Sequence, residues 1–315
     1  MSNSVSSVIV TINGTTYTLD TANGTTFTKT LVAPDASSFP LTGGYYPVSV
    51  TATYATGTTT TVDDTHGTLG SSCRLVVHET YKPTISIASP TNNAYLKNAS
   101  QTIQFSVLDN SNGQVTGFSS IDTSTLSVTI ASVKLSSSTT LHWSDLSSYA
   151  TAVTGGYSFS FAHTFLDSDD WTITVNVSDN DGNTADTATR TFIIDTEAPM
   201  LSVSAPVDNF QTSNSTITIS GTTSDSSDPI TISVTVDGVD YGTLPVQNGA
   251  FSGTITLTSI GSKTIVVTAT DNAGNSTSVS RSIYFDTATP VISSVTMVPN
   301  PVDNGQTYLI TVVVA

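Results

Sequence analysis

One phrase occurs twice in this chain and fixes its organisation. Val175-Asn-Val-Ser-Asp179-Asn180-Asp181-Gly182-Asn183 precedes Thr191-Phe-Ile-Ile-Asp195-Thr-Glu-Ala-Pro199. Val267-Thr-Ala-Thr-Asp271-Asn272-Ala273-Gly274-Asn275 precedes Ser282-Ile-Tyr-Phe-Asp286-Thr-Ala-Thr-Pro290. In both, an alternating apolar run enters an Asn/Gly turn, a second run returns, and Asp-Thr-x-x-Pro follows. Pro199 and Pro290 lie 91 residues apart. That period is the size of a domain rather than of a solenoid repeat. Proline fixes φ and donates no hydrogen bond, so it suits a crossing between domains. Glu79-Thr-Tyr-Lys-Pro83, followed by Thr-Ile-Ser-Ile-Ala-Ser-Pro90, marks an earlier crossing, because Leu201-Ser-Val-Ser-Ala-Pro206 reopens the same way. The expected domains are 1–80 (divergent), 81–197 (with longer loops inside 108–160), 198–288, and the opening of a fourth repeat at 289–315.

The runs read as strands. Ile230, Ile232, Val234 and Val236 alternate, and Asp237-Gly238 then turns the chain back toward Tyr241. Asn248-Gly249 and Asn13-Gly14 stand in the same position between alternating runs. Such dipeptides reach the positive φ that two-residue hairpin turns require. About seven strands fit between Leu201 and Phe285, near 201–205, 215–220, 229–237, 239–245, 250–257, 263–270 and 277–285. Seven short strands in about ninety residues fit an immunoglobulin-like sandwich. No long segment shows helical periodicity, and only the stretch around Ser144–Tyr149 suits a helical turn. The expected fold is all-β: tandem immunoglobulin-like β-sandwich domains in an elongated array.

Composition excludes several functions. Lys plus Arg total 8 against 24 Asp plus Glu, a net charge of −16, which opposes binding to a phosphate backbone. Roughly a third of the residues are Ser or Thr, which suits solvated sheet faces. The one cysteine, Cys73, permits no disulfide within the chain and no Cys-based zinc cluster, and reads as a buried small hydrophobe. No apolar run is long enough to span a bilayer, and the opening Met1-Ser-Asn-Ser-Val-Ser-Ser lacks the pattern of a secretory signal. His66, His78, His142 and His163 form no HExxH, and there is no G-x-S-x-G elbow. We therefore expect no enzyme, and assign no catalytic, cofactor or metal residue from these patterns.

The repeat ending DNAGN…FDTATP, with its relative SDNDGN…IDTEAP, resembles bacterial Ig-like domains, found in large surface adhesins and in phage tail proteins. The opening domain (INGTTYTLD…LTGGYYPVSVTATYATG) and the phrase PVISSVTMVPNPVDNGQTYLITV resemble Ig-like structural proteins encoded with prophage tail and baseplate genes of gut Firmicutes. The resemblance implies a non-enzymatic tail, baseplate or fibre protein of a virion, acting as spacer, decoration or host-surface contact. Its implied partners are other tail and baseplate proteins, in multiple copies of a symmetric assembly, and host cell-surface glycans. It implies assembly in the bacterial cytoplasm without nucleic-acid binding or membrane insertion. The alternative is a stalk or adhesin segment at the bacterial cell surface, and a third reading is a sugar-binding module of a secreted glycosidase.

Two readings stay open for the acidic turns. Related adhesin repeats hold Ca²⁺ between domains, and by that analogy Asp179, Asp181 and Asp195 form one site, and Asp271 and Asp286 another. Hard cations take such oxygen ligands. Read alone, Asp-Asn-x-Gly-Asn is a tight turn whose side chains bond locally, and Ala273 in place of Asp181 argues against a shared metal role. Gly43-Gly44-Tyr45-Tyr46 and Gly155-Gly156-Tyr157 admit a sugar platform or strand packing, and Trp171 reads as core of the second sandwich.

Overall fold

The computed structural model describes residues 4–110, 117–226 and 229–314. Among the described residues strands account for 57% and helix for 4%, an all-β fold. Two compact units divide it, 1–194 and 195–315.

In the second unit two sheets face each other. One has the order Met200–Ala205, Thr216–Ser224, Ala250–Thr256, Val246–Gln247. The other runs Phe210–Thr212, Ser276–Phe285, Gly261–Thr270, Thr231–Val236, Val239–Leu244. This is the immunoglobulin-like order, with neighbouring antiparallel strands placed in different sheets. Period-2 alternation sends Ile217, Ile219, Ile232, Val234, Ile265 and Val267 into one shared core. The intervening Ser and Thr face out and bond across strands, as Thr268 and Ser278 do at 2.8 Å between hydroxyls. Beyond the sandwich, Ile292–Val298 and Leu309–Val314 pair as an antiparallel hairpin.

The first unit contains the same sandwich. Ala150–Val153, Gly156–Thr164, Ser100–Leu108 and Thr84–Ser89 form one sheet, in that order. Ser137–His142, Ile121–Ser132, Ser168–Asp179, Ala188–Ile194 and Ala94–Leu96 form the other. Trp171 is 4% exposed in its core, packed edge-on against Phe165 with ring centroids 5.0 Å apart, and its indole N–H donates to the Leu166 carbonyl at 2.9 Å. The helical turn expected near Ser144–Tyr149 is present as Trp143–Leu146 and Ser147–Tyr149. It joins the edge strand of one sheet to the edge strand of the other, and Leu146 plugs the core.

Both sandwiches add one strand that the sequence reading did not place. Ala94–Leu96 and Phe210–Thr212 pair in parallel with the last strand of their domains. Each follows a proline, Pro90 or Pro206, at which the first strand leaves one sheet for the other.

The opening segment takes a different form from the expected sandwich over 1–80. Its main sheet has the order Thr15–Thr18, Val5–Ile12, Tyr46–Tyr54, Thr59–Val62. Lys29–Tyr45, which carries Pro34, Pro40, Gly43 and Gly44 and no alternating run, contributes no strand. The buried apolar residues here are few: Val8, Tyr46, Cys73 and Val77.

Candidate metal centre

Strand register determines which loops meet. Thr84, at the start of the first strand of the sandwich in unit 1, is opposite Leu108, and Ile121 is opposite Asp179. The incoming linker, the loop after Leu108 and the Asp179–Asn183 turn therefore share one end. Ile194, where the last strand leaves, is opposite Ser168 at the other end. At about 3.3 Å per residue, eleven residues of strand separate the two ends by about 36 Å. An acid in a linker thus serves the sandwich that follows it.

Glu79, Asp109 and Asp179 meet at this end, each presenting a carboxylate oxygen within 4.8 Å of the others. They are 5%, 1% and 2% exposed. Asn183 is the clamp. Its side-chain amide donates to Asp179 Oδ2 at 2.9 Å, to Glu79 Oε1 at 3.0 Å and to the Glu79 carbonyl at 3.1 Å. Asp179 Oδ1 accepts the backbone N–H groups of Asp181 and Asn183, both at 2.9 Å, in a turn that Gly182 closes at φ +92°. Asp109 Oδ2 accepts the Ser120 N–H at 2.7 Å, while its Oδ1 is buried with no hydrogen-bond partner.

Three ionised carboxylates at this spacing repel one another. Among the described residues no Lys or Arg forms an ion pair with these three acids. Burial, then hydrogen bonding to Asp179, then the charges of Asp179 and Asp109 push the Glu79 carboxyl up to about 7, against the opposing Tyr81 N–H. Burial and the neighbouring charges of Asp179 and Asp181 push Asp109 up to about 6, opposed by the N–H groups of Ser120 and Ser119. Carboxylates with stripped hydration and like-charged neighbours hold protons or take up a cation.

The second unit repeats the arrangement. Asp195, Asp225 and Asp271 present oxygens within 4.8 Å of one another. Asn275 is the clamp here, donating through its amide to Asp271 Oδ2 and to the Asp195 carbonyl, both at 2.9 Å. Linker acid, acid after the third strand and turn acid occupy the same three places in both sandwiches.

This regroups the residues that the adhesin analogy had joined. Asp179 belongs with Glu79 and Asp109, whereas Asp195 belongs with Asp225 and Asp271. Asp181 braces the linker instead of joining the three: its Oδ2 accepts the Glu79 N–H at 2.9 Å and its Oδ1 lies 2.8 Å from His78 Nδ1. Asp286 is in neither group and accepts the Ala288 N–H at 2.8 Å. Glu79, Asp109 and Asp225 were missed from the sequence, although Glu79-Thr-x-x-Pro aligns with Asp195-Thr-x-x-Pro. The tyrosine platform does not form around Tyr45 and Tyr46. Tyr46 is buried, with its hydroxyl donating to the Ala36 carbonyl at 3.1 Å, and Arg74 lies over the Tyr45 ring at 4.8 Å.

Among known families, the one described as Glucodextranase, domain B matches residues 199–287, the sandwich of the second unit. No curated protein sequence matches the chain. Similar solved structures include the tetra-tandem repeat in the extending region of a large adhesion protein, at 18% identity over 99% of this chain and 80% of that one, with a TM-score of 0.33. The fibronectin(III)-like modules of Clostridium thermocellum CbhA share 17% identity over 64% of this chain and 94% of that one, with a TM-score of 0.39. A structure from a 1.5-MDa bacterial ice-binding adhesin shares 18% identity over 91% and 88%, with a TM-score of 0.29. The fold assignment rests on the sheets themselves.

Proposed function

We propose that this chain is a non-catalytic stalk segment of a bacterial surface protein, in which sandwiches in series act as a spacer for display. The observation that carries this reading is the repetition of one sandwich with one joint: the same topology, the same linker phrase and the same carboxylate triad with its Asn clamp, twice over. A repeated joint suits a protein that gains reach by adding units, since each unit brings its own connection. The hydroxyl-rich outer faces and the net charge of −16 keep such a series soluble.

The test is protease shaving of intact producing cells, with mass spectrometry of the released peptides and, in parallel, of purified phage particles. Peptides from this chain in the shaved fraction support the stalk. Recovery only in particles, at a fixed ratio to tail proteins, would replace it with the virion reading that the opening domain's phrases imply.

A further inference from the structure

We propose that a cleft in the opening segment binds a neutral carbohydrate. Strand register sorts its main sheet into two faces. Val10 stands opposite Tyr17 and Val50, and Ile12 opposite Thr15 and Val48, so these six share one face. The residues between them, Thr11, Thr16, Ser49 and Thr51, give the other face its hydroxyls. The apolar face is incompletely covered: Val10, Ile12, Tyr17, Val48 and Val50 are only half-buried. Residues 31–35, which form no strand, leave a cleft of about 470 Å³ against it, with Ile12, Thr15 and Tyr17 from the sheet and Leu31, Val32 and Asp35 from the strap in its lining. Clefts that take small molecules run from about 300 to about 1,000 Å³.

The lining identifies the class of occupant. An aromatic ring and aliphatic walls meet one carboxylate, one amide and two hydroxyls. Among the described residues, the side chains of Asn13, Thr15, Tyr17 and Asp35 are not spent on hydrogen bonds within the protein. A pyranose has the complementary pattern: a C–H face for the Tyr17 ring, and a rim of hydroxyls that donate to the Asp35 carboxylate in charge-assisted bonds. Val32 is 91% exposed and gains apolar cover when the cleft fills. No Lys, Arg or His lines the cleft, so a phosphate, sulfate or sialic-acid group would meet a carboxylate and no counter-charge. Addition of a peptide by strand pairing is opposed at the adjoining edge strand, Thr15–Thr18, where Lys29 Nζ donates to the Thr18 carbonyl at 3.0 Å. The cleft does not depend on where the chain is displayed, so failure of the stalk reading leaves it intact.

The experiment probes an array of neutral oligosaccharides of glucose, galactose and N-acetylglucosamine, beside their sialylated counterparts, with the labelled full chain. The strongest neutral binder is then titrated calorimetrically into wild type, Asp35→Asn and Tyr17→Ala. Asp35 is exposed, so its substitution keeps the fold and removes only the charged acceptor. We expect binding to neutral glycans, weakened about tenfold or more by Asp35→Asn and by Tyr17→Ala. No binding by wild type to any glycan on the array, or full-strength binding by either variant, overturns the site. A preference for the sialylated glycans overturns its assignment to neutral sugars. Circular dichroism checks that Tyr17→Ala is folded. If it is not, Asp35→Asn alone decides.

Discussion

Without metal, the first unit should lose stability as pH rises from about 4 to about 7. The folded-state value of Glu79 is raised from an ordinary 4.5 to about 7, and that of Asp109 from 3.8 to about 6. A group that binds its proton more tightly when folded contributes stability that is complete below its unfolded value and disappears above its folded one. Each tenfold gain in proton affinity on folding is worth about 1.4 kcal/mol, so the Glu79–Asp179 pair, which titrates together, contributes on the order of 3 kcal/mol across this window. Asp109 contributes less than its own full share in addition, because its charge is already among the causes that raise Glu79. The readout is specific, since the only two tryptophans, Trp143 and Trp171, both lie in the sandwich of unit 1. Urea unfolding followed by tryptophan fluorescence, in EDTA, at pH 4.5, 6 and 8 measures the loss. The net negative charge of the whole chain gives a slope of the same sign, so Glu79→Gln is the control and should flatten most of it. A slope that Glu79→Gln leaves unchanged, or a stability that rises with pH, would refute the reasoning.

Three further outcomes follow from the packing. Asn183→Ala, which strips donors from Glu79 and Asp179, should cost about 1–3 kcal/mol in the same tryptophan-monitored unfolding. Ile219→Ala should destabilise the second unit by about 2–5 kcal/mol in calorimetry and leave the tryptophan transition in place, since Ile219 is 0% exposed in a separate core. Gly221→Ala should destabilise that unit by about 2 kcal/mol or more by the same method, because a Cβ there would stand 2.0 Å from the Ser202 carbonyl oxygen and 2.5 Å from the Phe251 ring.

What the sequence disclosed and what it hid divide along locality. Ile230, Ile232, Val234 and Val236 alternate in sequence and are all buried. Asn13-Gly14, Asp237-Gly238 and Asn248-Gly249 sit at positive φ, as their side chains allow. Each depends only on neighbours. The three-residue strands Ala94–Leu96 and Phe210–Thr212 were invisible because their partners lie some seventy to a hundred residues away and no alternation can develop in so short a run. The carboxylate triads were half visible. The turn acids Asp179 and Asp271 announced themselves through Asn and Gly, whereas Asp109 and Asp225 stand in loops with no pattern of their own. Chain order pairs each turn with the linker that follows it, whereas its partner is the linker one sandwich earlier. The register of the strands, which puts the entrance of a sandwich beside its turn and the exit at the far end, decides the matter.

That offset has a consequence for where one module stops and the next begins. A boundary drawn at Pro83 or Pro199 would separate each sandwich from the acid that completes its own entrance, leaving two carboxylates where the intact chain has three. The heritable cassette therefore starts at Glu79 or Asp195, inside what looks like the tail of the preceding unit. Any insertion, deletion or exchange of repeats that respects this phase delivers a finished joint, and one cut at the prolines leaves a joint whose third acid comes from whichever neighbour happens to precede it.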